Sequence, residues 1–483
     1  MNKRMRRFRV LMLAIAAITL VGCATTQPSD RPSVELASTW NAPKDAAENN
    51  MPPDSLWWQN FGSAELDRLI NQAFEQSPDL AAMTERVFQA EQQARIAGSS
   101  LMPSLGLTGS TGSRVSDGRG PSEHNKSTSV GLSASYELDL WGNLAASRNA
   151  AEATFRATVF DYDTVRLTLA SSVATTWFQM LGLEEQLRVA KENLRIAERV
   201  EQIVDVRYRN GAASRAEQLR QQTEVLNQRA GLVPLQLQYR QTRSALAVLV
   251  GSSPLGFDVK SANDTLLTMT LPSANAGLPS ELLTRRPDLA REEARLQAAD
   301  ANVEQARTAL LPSFSLGLNA GLNSTSLINL TDPVRTAGWS LSLAQSLFDG
   351  GRMDAQQAIS ESQRLELVET YRSTILTALQ ETDDALDRVQ TTRHREELQQ
   401  TVNERAARTL ELTELRYKEG SEELLTLLEA QRTLFQTRDQ LVQLRLARLV
   451  ATVDLYKALG GGWSAGENIT PIKSGGNENL SSL

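Results

Sequence analysis

The feature that most constrains this chain is a repeat at an offset of 209 residues. Tyr208-Arg209-Asn210-Gly211 returns as Tyr417-Lys418-Glu419-Gly420, and Pro78-Asp79-Leu80-Ala81 returns as Pro287-Asp288-Leu289-Ala290. Pro103-Ser104 returns as Pro312-Ser313, Gly142 as Gly351 and Gly251 as Gly460, with no gap at any of these points. Self-similarity at a fixed period sets the number and kind of units that a fold contains. A period of 209 is too long for a solenoid unit, so it reads as a duplicated half-domain. The chain divides accordingly into repeats at 78–251 and 287–460, with a connector at 252–286 and a tail at 461–483.

Within each half the same patterns follow one another. Ala64 to Gln76 reads as a helix, and Pro78 suits the first position of the next one, which continues to about Leu101. In Leu105 to Gly109 and Val130 to Leu140, apolar residues take every second place against Gly, Ser, Glu and Asp, the pattern of a strand with one apolar face. A polar linker from Val115 to Lys126 joins them. The second half repeats the phase with Phe314, Leu316 and Leu318, then Trp339, Leu341, Leu343 and Leu347.

A helical pattern then runs unbroken from Gly142 to Gly211 and from Gly351 to Gly420. Val165, Leu169, Val173, Trp177 and Leu181 step by four, with Leu187 and Leu194 continuing the stripe. Leu365, Val368, Ile375, Leu379 and Leu386 form its counterpart. Helices of that length make rods of about 100 Å. Gly211 and Gly420 suit the left-handed position past a helix end, so each Tyr-x-x-Gly marks a hairpin tip. Return helices lead to Gly251 and Gly460. Pro234 interrupts the first where Gln443 stands in the second, which predicts a kink or local unwinding in one half only.

The totals exclude several function classes. A net charge of -7 gives no electrostatic case for nucleic acid. Two histidines, His124 and His394, and one cysteine, Cys23, leave almost no material for a metal or thiol site. No nucleophile elbow or phosphate loop is present, so the sequence predicts neither catalysis nor a cofactor.

The N-terminus carries Lys3, Arg4, Arg6, Arg7 and Arg9, then an apolar run from Val10 to Val21. That run is too short to span about 30 Å of hydrocarbon, and it reads as a signal peptide over residues 1–22. Leu20-Val21-Gly22-Cys23 resembles a bacterial lipobox, in which cleavage precedes a cysteine that is then lipidated. Ala24 stands where an Asp would signal inner-membrane retention, which points to the outer membrane. Residues 23–77 form a lipid-anchored arm and the start of the ordered chain.

Four strands with one apolar face cannot close a membrane barrel, and an open edge is not tolerated in lipid. Completion by other copies gives eight strands in a dimer or twelve in a trimer. Core strands of a soluble sandwich are the alternative, against which stand the lipobox and a Ser/Gly-rich polar face suited to a wet lumen.

WWQNFGSAELDRLINQAFEQSPDL, the two Tyr-x-x-Gly tips, LLTLLEAQRTLF and the closing DLYKALGGGW together resemble the TolC-like outer-membrane efflux factors, in particular their lipid-anchored multidrug subgroup. The resemblance covers essentially the whole mature chain. It implies an α+β membrane channel made by a homotrimer, with a transmembrane β-barrel, a long α-helical barrel and a belt formed by the N-terminal arm, connector and C-terminal region. It implies an exit duct carrying drugs or other small toxic molecules, joined through a periplasmic adaptor to an inner-membrane transporter. A type I protein-secretion duct of the same family is the alternative.

By the same resemblance, Leu425 falls where the family places an apolar gate ring, and Glu429 falls where it places an acidic one. Glu217 matches a carboxylate that ties the tips together, with Lys418 or Arg416 as its partner. Arg220 stands at the repeat position of Glu429, so the two halves differ chemically there.

The lipobox predicts that the mature N-terminal peptide begins at lipidated Cys23. Mass spectrometry of that peptide checks it, and an unmodified Cys23 or a cut elsewhere refutes it. Cys23→Ala should cost anchoring more than folding.

Overall fold

Repeat-related positions become repeat-related elements, to the residue in the helices. The computed structural model describes residues 39–41, 55–116, 123–259, 264–273, 276–328, 330 and 332–464. Cys23 and the signal peptide lie outside these residues, as does most of the arm before Ser55. A 3-10 turn at Trp57–Phe61 precedes α1 (Ala64–Gln76), α2 (Pro78–Ser99), β1 (Ser104–Ser116), β2 (Glu123–Leu138), α3 (Asn143–Arg209) and α4 (Arg215–Leu249). A short helical turn at Pro279–Arg285 leads to α5 (Pro287–Thr308), β3 (Ser313–Ser324), β4 (Val334–Ala344), α6 (Arg352–Lys418) and α7 (Leu424–Ala458). The helices α5, α6 and α7 each start and stop 209 residues after α2, α3 and α4.

The long helices are 67 residues each, rods of about 100 Å. Each is launched from its strand through a left-handed glycine, Gly142 at φ 80° and Gly351 at φ 85°. An aspartate then satisfies the free N–H groups of the first turn. Asp139 accepts from the backbone N–H groups of Leu144 (3.1 Å) and Ala145 (2.8 Å). Asp349 accepts from those of Gly351, Arg352 and Met353, each at 3.1 Å. Because Asp139 turns to this task, β2 stops at Leu138 rather than reaching Leu140. In the second half β4 ends at Ala344, leaving Leu347 outside the strand.

The strands form one antiparallel sheet in the order β1-β2-β3-β4. β1 and β2 run further than their apolar alternation predicts, consuming much of the expected linker. Cross-strand hydroxyl pairs line this extension, Ser110 with Ser129 at 2.7 Å and Thr111 with Thr128 at 3.0 Å. Pairing of polar residues leaves no hydrophobic period to read, so the sequence shows only the part of the hairpin that has an apolar face.

The principal core sits halfway along the rods. Trp177, Phe178, Met180 and Leu181 lie near the middle of α3, buried against Trp57, Trp58 and Phe61, against Leu66, Leu69 and Ile70 of α1, and against Val453 and Tyr456 of α7. Trp57 stacks on Tyr456 with centroids 5.4 Å apart. The connector joins this core through Val259, Leu266 and Met269. Arg445 of α7 holds it by donating to the Met269 carbonyl (2.8 Å) while pairing with Glu396 (3.4 Å). Trp40 donates to the Gly277 carbonyl at 2.9 Å, and Asn41 makes two hydrogen bonds to the Asp383 carboxylate, both at 3.1 Å. At the other end of the chain, Trp463 donates to buried Asp163 at 2.8 Å, and burial pushes that carboxyl above its ordinary range.

Helix α4 continues through Pro234 without a break, so of the expected kink or local unwinding the unwinding is absent. The carbonyl that loses its partner belongs to Ala230, which is exposed, as is Pro234 itself. Water can take that acceptor, which removes the need to unwind.

Gly251 and Gly460 have φ of 72° and 85°, and a Cβ on either would run into a backbone carbonyl, that of Gln76 or of Arg285. Backbone cannot rotate aside as a side chain can. At Gly420 (φ 80°) nothing lies within 4 Å. Gly420→Ala should therefore cost only the left-handed backbone term of about 1–2 kcal/mol, and Gly460→Ala clearly more. Denaturant titration of the two variants checks the order.

Candidate functional site

The first candidate site is the sheet. Register places Leu105 opposite Ala134 and Leu107 opposite Leu132. It places Tyr136 opposite Leu316 and Leu138 opposite Phe314. It also sets Phe314 against Leu343, Leu316 against Leu341 and Leu318 against Trp339. Side chains alternate strictly between faces, so these residues share one side. The other side carries Ser104, Gly106, Thr108, Ser110, Ser133, Ser135, Ser315, Asn319, Ser340 and Ser342. On the apolar side Leu105, Leu107, Trp339, Leu341 and Leu343 are all exposed. Among the described residues both outer strands, β1 and β4, have one unpaired edge.

The second is the pair of hairpin tips. Gly211 and Gly420 take left-handed φ values of 73° and 80°, as the turn requires. The two tyrosines of the repeated motif behave differently. Tyr417 is fully buried, whereas Tyr208 is exposed. A second apolar cluster explains the difference, with Tyr417 packed among Val200, Val204, Leu424, Leu427 and Leu434. In the first hairpin Arg215 and Gln218 replace Leu424 and Leu427, so no such core forms around Tyr208. Arg207 fastens one hairpin to the other: its guanidinium lies 4.5 Å from the Tyr417 ring centroid and donates to the Tyr417 carbonyl.

Glu217 does not reach Lys418 or Arg416 within the chain. It is the third residue of α4 and completes a capping box with Ser214, accepting from the Ser214 N–H at 2.6 Å. That backbone bond, with Arg207 and Arg220 nearby, holds its carboxyl below the usual range. Lys418 turns to Glu414 at 3.1 Å, one helical turn back, and Arg416 turns to Glu422 at 3.5 Å. The bridge that does join the hairpins is Arg199 to Glu414 at 2.7 Å. Burial works to raise the Glu414 carboxyl, but the bonds from Arg199 and Lys418 outweigh it and hold it low. Arg207, Arg199 and Glu414 were not singled out by sequence. One signal was available, because the acid–base pair Asp205/Arg209 recurs at the repeat offset as Glu414/Lys418, and both pairs form.

Leu425 and Glu429 lie one turn apart on an exposed face of α7, while Leu424, Leu427 and Ala430 are buried on its other side. Leu425 is 55% exposed, an apolar side chain left outside the buried clusters of the described residues. Among the described residues no group of side chains is arranged to hold a metal ion, and no helix is long and apolar enough to cross a membrane.

A sheet with one bare apolar face and two open edges, mounted on paired rods, defines a protomer of a β-barrel membrane channel with a helical extension. The Outer membrane efflux protein family matches residues 69–252 and again 278–461, once per repeat. The pyoverdine export outer membrane protein OpmQ of Pseudomonas putida is 39% identical over 472 residues, covering 95% of this chain and 98% of that protein. The cation efflux system protein CusC of Escherichia coli O157:H7 is 30% identical over 454 residues, covering 92% of this chain and 97% of its own. Among solved structures, the open state of the Neisseria gonorrhoeae MtrE outer membrane channel matches with a TM-score of 0.82 at 27% identity, over 91% of this chain and 98% of that one. The chain belongs to the outer membrane efflux protein family, whose members are transport ducts of the Gram-negative outer membrane rather than enzymes.

The alternation makes the two faces unequal towards charge. Leu341→Arg should cost about 2–4 kcal/mol near the bilayer midplane, while Ser342→Arg on the polar face is tolerated. Equal yields of assembled protein from the two variants, read on native gels, would contradict the assignment of faces.

Proposed function

We propose that three copies of this chain form a closed duct in the outer membrane, with Cys23 as a lipid anchor and the helical rods extending into the periplasm. The duct passes small molecules, drugs among them, delivered by an inner-membrane transporter through a periplasmic adaptor. The observation that carries this reading is the sheet, since a four-stranded antiparallel sheet with one bare apolar face, one Ser/Asn/Gly face and two open edges is a segment of a water-filled barrel. Relatives named for pyoverdine export and for cation efflux support a small cargo.

The hairpin tips are the proposed gate. The exposed side of α7 would point towards the three-fold axis, where Leu425 forms an apolar constriction and Glu429, one turn along, an acidic collar. Glu217 and Lys418 then hold the tips shut indirectly. Glu217 caps the turn after Tyr208, and Lys418, beside the Arg416–Glu422 pair, helps fix Glu414 against Arg199. Exposed ion pairs are individually worth about 0–1 kcal/mol, so the closed state rests on several acting together.

Planar-bilayer recording tests both parts. The wild-type trimer should conduct, Leu425→Ala should raise conductance, and Glu429→Ala should lower cation selectivity. Glu217→Ala with Lys418→Ala should raise the open fraction. A trimer that passes no current in any of these forms would refute the duct. Unchanged conductance in Leu425→Ala, with the trimer intact, would place the constriction elsewhere.

A further inference from the structure

The duplication extends to the hydrogen-bonding register, and this reaches an interface that a single chain does not contain. Leu105 pairs with Ala134 in the first hairpin, and their counterparts 209 residues on, Phe314 and Leu343, pair in the second. Leu107 with Leu132 and Leu316 with Leu341 repeat the relation. The two hairpins are therefore the same unit used twice. One junction between such units is visible, where β2 of the first meets β3 of the second with Ala134 opposite Leu318 and Ser133 opposite Asn319. The other junction would lie between β4 and β1 of a neighbouring copy.

We propose that β4 of one chain pairs with β1 of the next in the register of the β2–β3 junction, which sets Leu343 opposite Gly109, Ser342 opposite Ser110, Leu341 opposite Thr111, Trp339 opposite Ser113 and Gly338 opposite Arg114 of the next copy. This rests on the assembly proposed above and specifies how its chains join. Three features of the strands support it. First, the direction is correct: in the order β1-β2-β3-β4 with every neighbour antiparallel, the next β1 also meets β4 antiparallel. Second, the faces agree, since Leu343, Leu341 and Trp339 meet residues on the same side as Leu105 and Leu107, while Ser342 and Ser340 meet residues on the same side as Ser104 and Thr108. A slip of one residue would turn every side chain to the wrong face, so only two-residue steps compete. Third, sizes complement: the bulky residues of β4 meet Gly109, Thr111 and Ser113, and small Ala337 meets Val115. On the polar side Arg114 lies across from Gly338, which has no side chain to oppose it.

Disulfide trapping in the full-length chain, in isolated outer membranes, reads the register directly. Ser110→Cys with Ser342→Cys, and Thr111→Cys with Leu341→Cys, sample the two faces. Directly opposed strand residues bring Cβ atoms about 4.5–5.5 Å apart, close to disulfide reach, whereas diagonal neighbours stand about 7–8 Å apart. Mild oxidation should convert at least one of these double variants to a closed covalent trimer that is reversed by reductant, with the linked peptides identified by mass spectrometry. Thr108→Cys or Gly112→Cys, each combined with Ser342→Cys, should crosslink about tenfold more slowly or not at all. If a double variant fails to insert, co-expressed single variants report the same seam as a covalent dimer. Preferential crosslinking of a shifted pair, in a trimer that still conducts, would overturn the register and leave the duct standing. Absence of any interchain crosslink, together with a monomeric wild-type chain that carries no current, would overturn both.

Discussion

Hydrocarbon offers no hydrogen-bond partner, and this fact governs the whole molecule. A sheet of four strands presents unpaired N–H and C=O groups along β1 and β4, and in a membrane each such group costs several kcal/mol. The chain alone cannot meet that requirement. The strands therefore depend on neighbours, and the helices hold them where neighbours can be reached. Left-handed glycines and capping aspartates at Asp139 and Asp349 fix how each rod leaves its strand, so strand register and rod position are set together.

Further along the rods the two halves diverge in chemistry while keeping the same backbone. The central core recruits Trp57 to Phe61, α1 and the connector against the middle of α3 and the end of α7. At the tips the second hairpin has an apolar core around Tyr417, and the first has Arg215, Gln218 and a capping box instead. Arg207 and Arg199 cross from the first hairpin to the second. The result is a pair of hairpins that share an apolar core, to which the first contributes Val200 and Val204 of α3, and that are tied further by these polar contacts.

Much of this was legible in the sequence, for a physical reason in each case. The long helices were readable because Gly142, Gly211, Gly351 and Gly420 occupy left-handed positions where other residues are strained. The apolar face of the sheet was readable because alternation has a period of two and exposure to lipid demands it. The outer part of the β1–β2 hairpin was not, since strands polar on both faces carry no period. Nor were the tip contacts. The resemblance gives Glu217 the task of tying the tips together, and within the chain its position three residues after Ser214 also places it in the capping box. The continuity of α4 through Pro234 depends on exposure of the carbonyl it orphans, and a lone sequence gives no exposure.

The equality of α3 and α6, at 67 residues apiece, has a consequence for how such a chain can change over generations. Removing one residue from either rod would withdraw its tip by about 1.5 Å and rotate everything beyond the cut by about 100°. Arg199 and Glu414 would then face different directions, and Tyr417 would leave its pocket. Substitutions along the rods can accumulate singly, whereas insertions and deletions must arrive in matched pairs, one in each half. The packing between the rods therefore constrains their length more tightly than their composition.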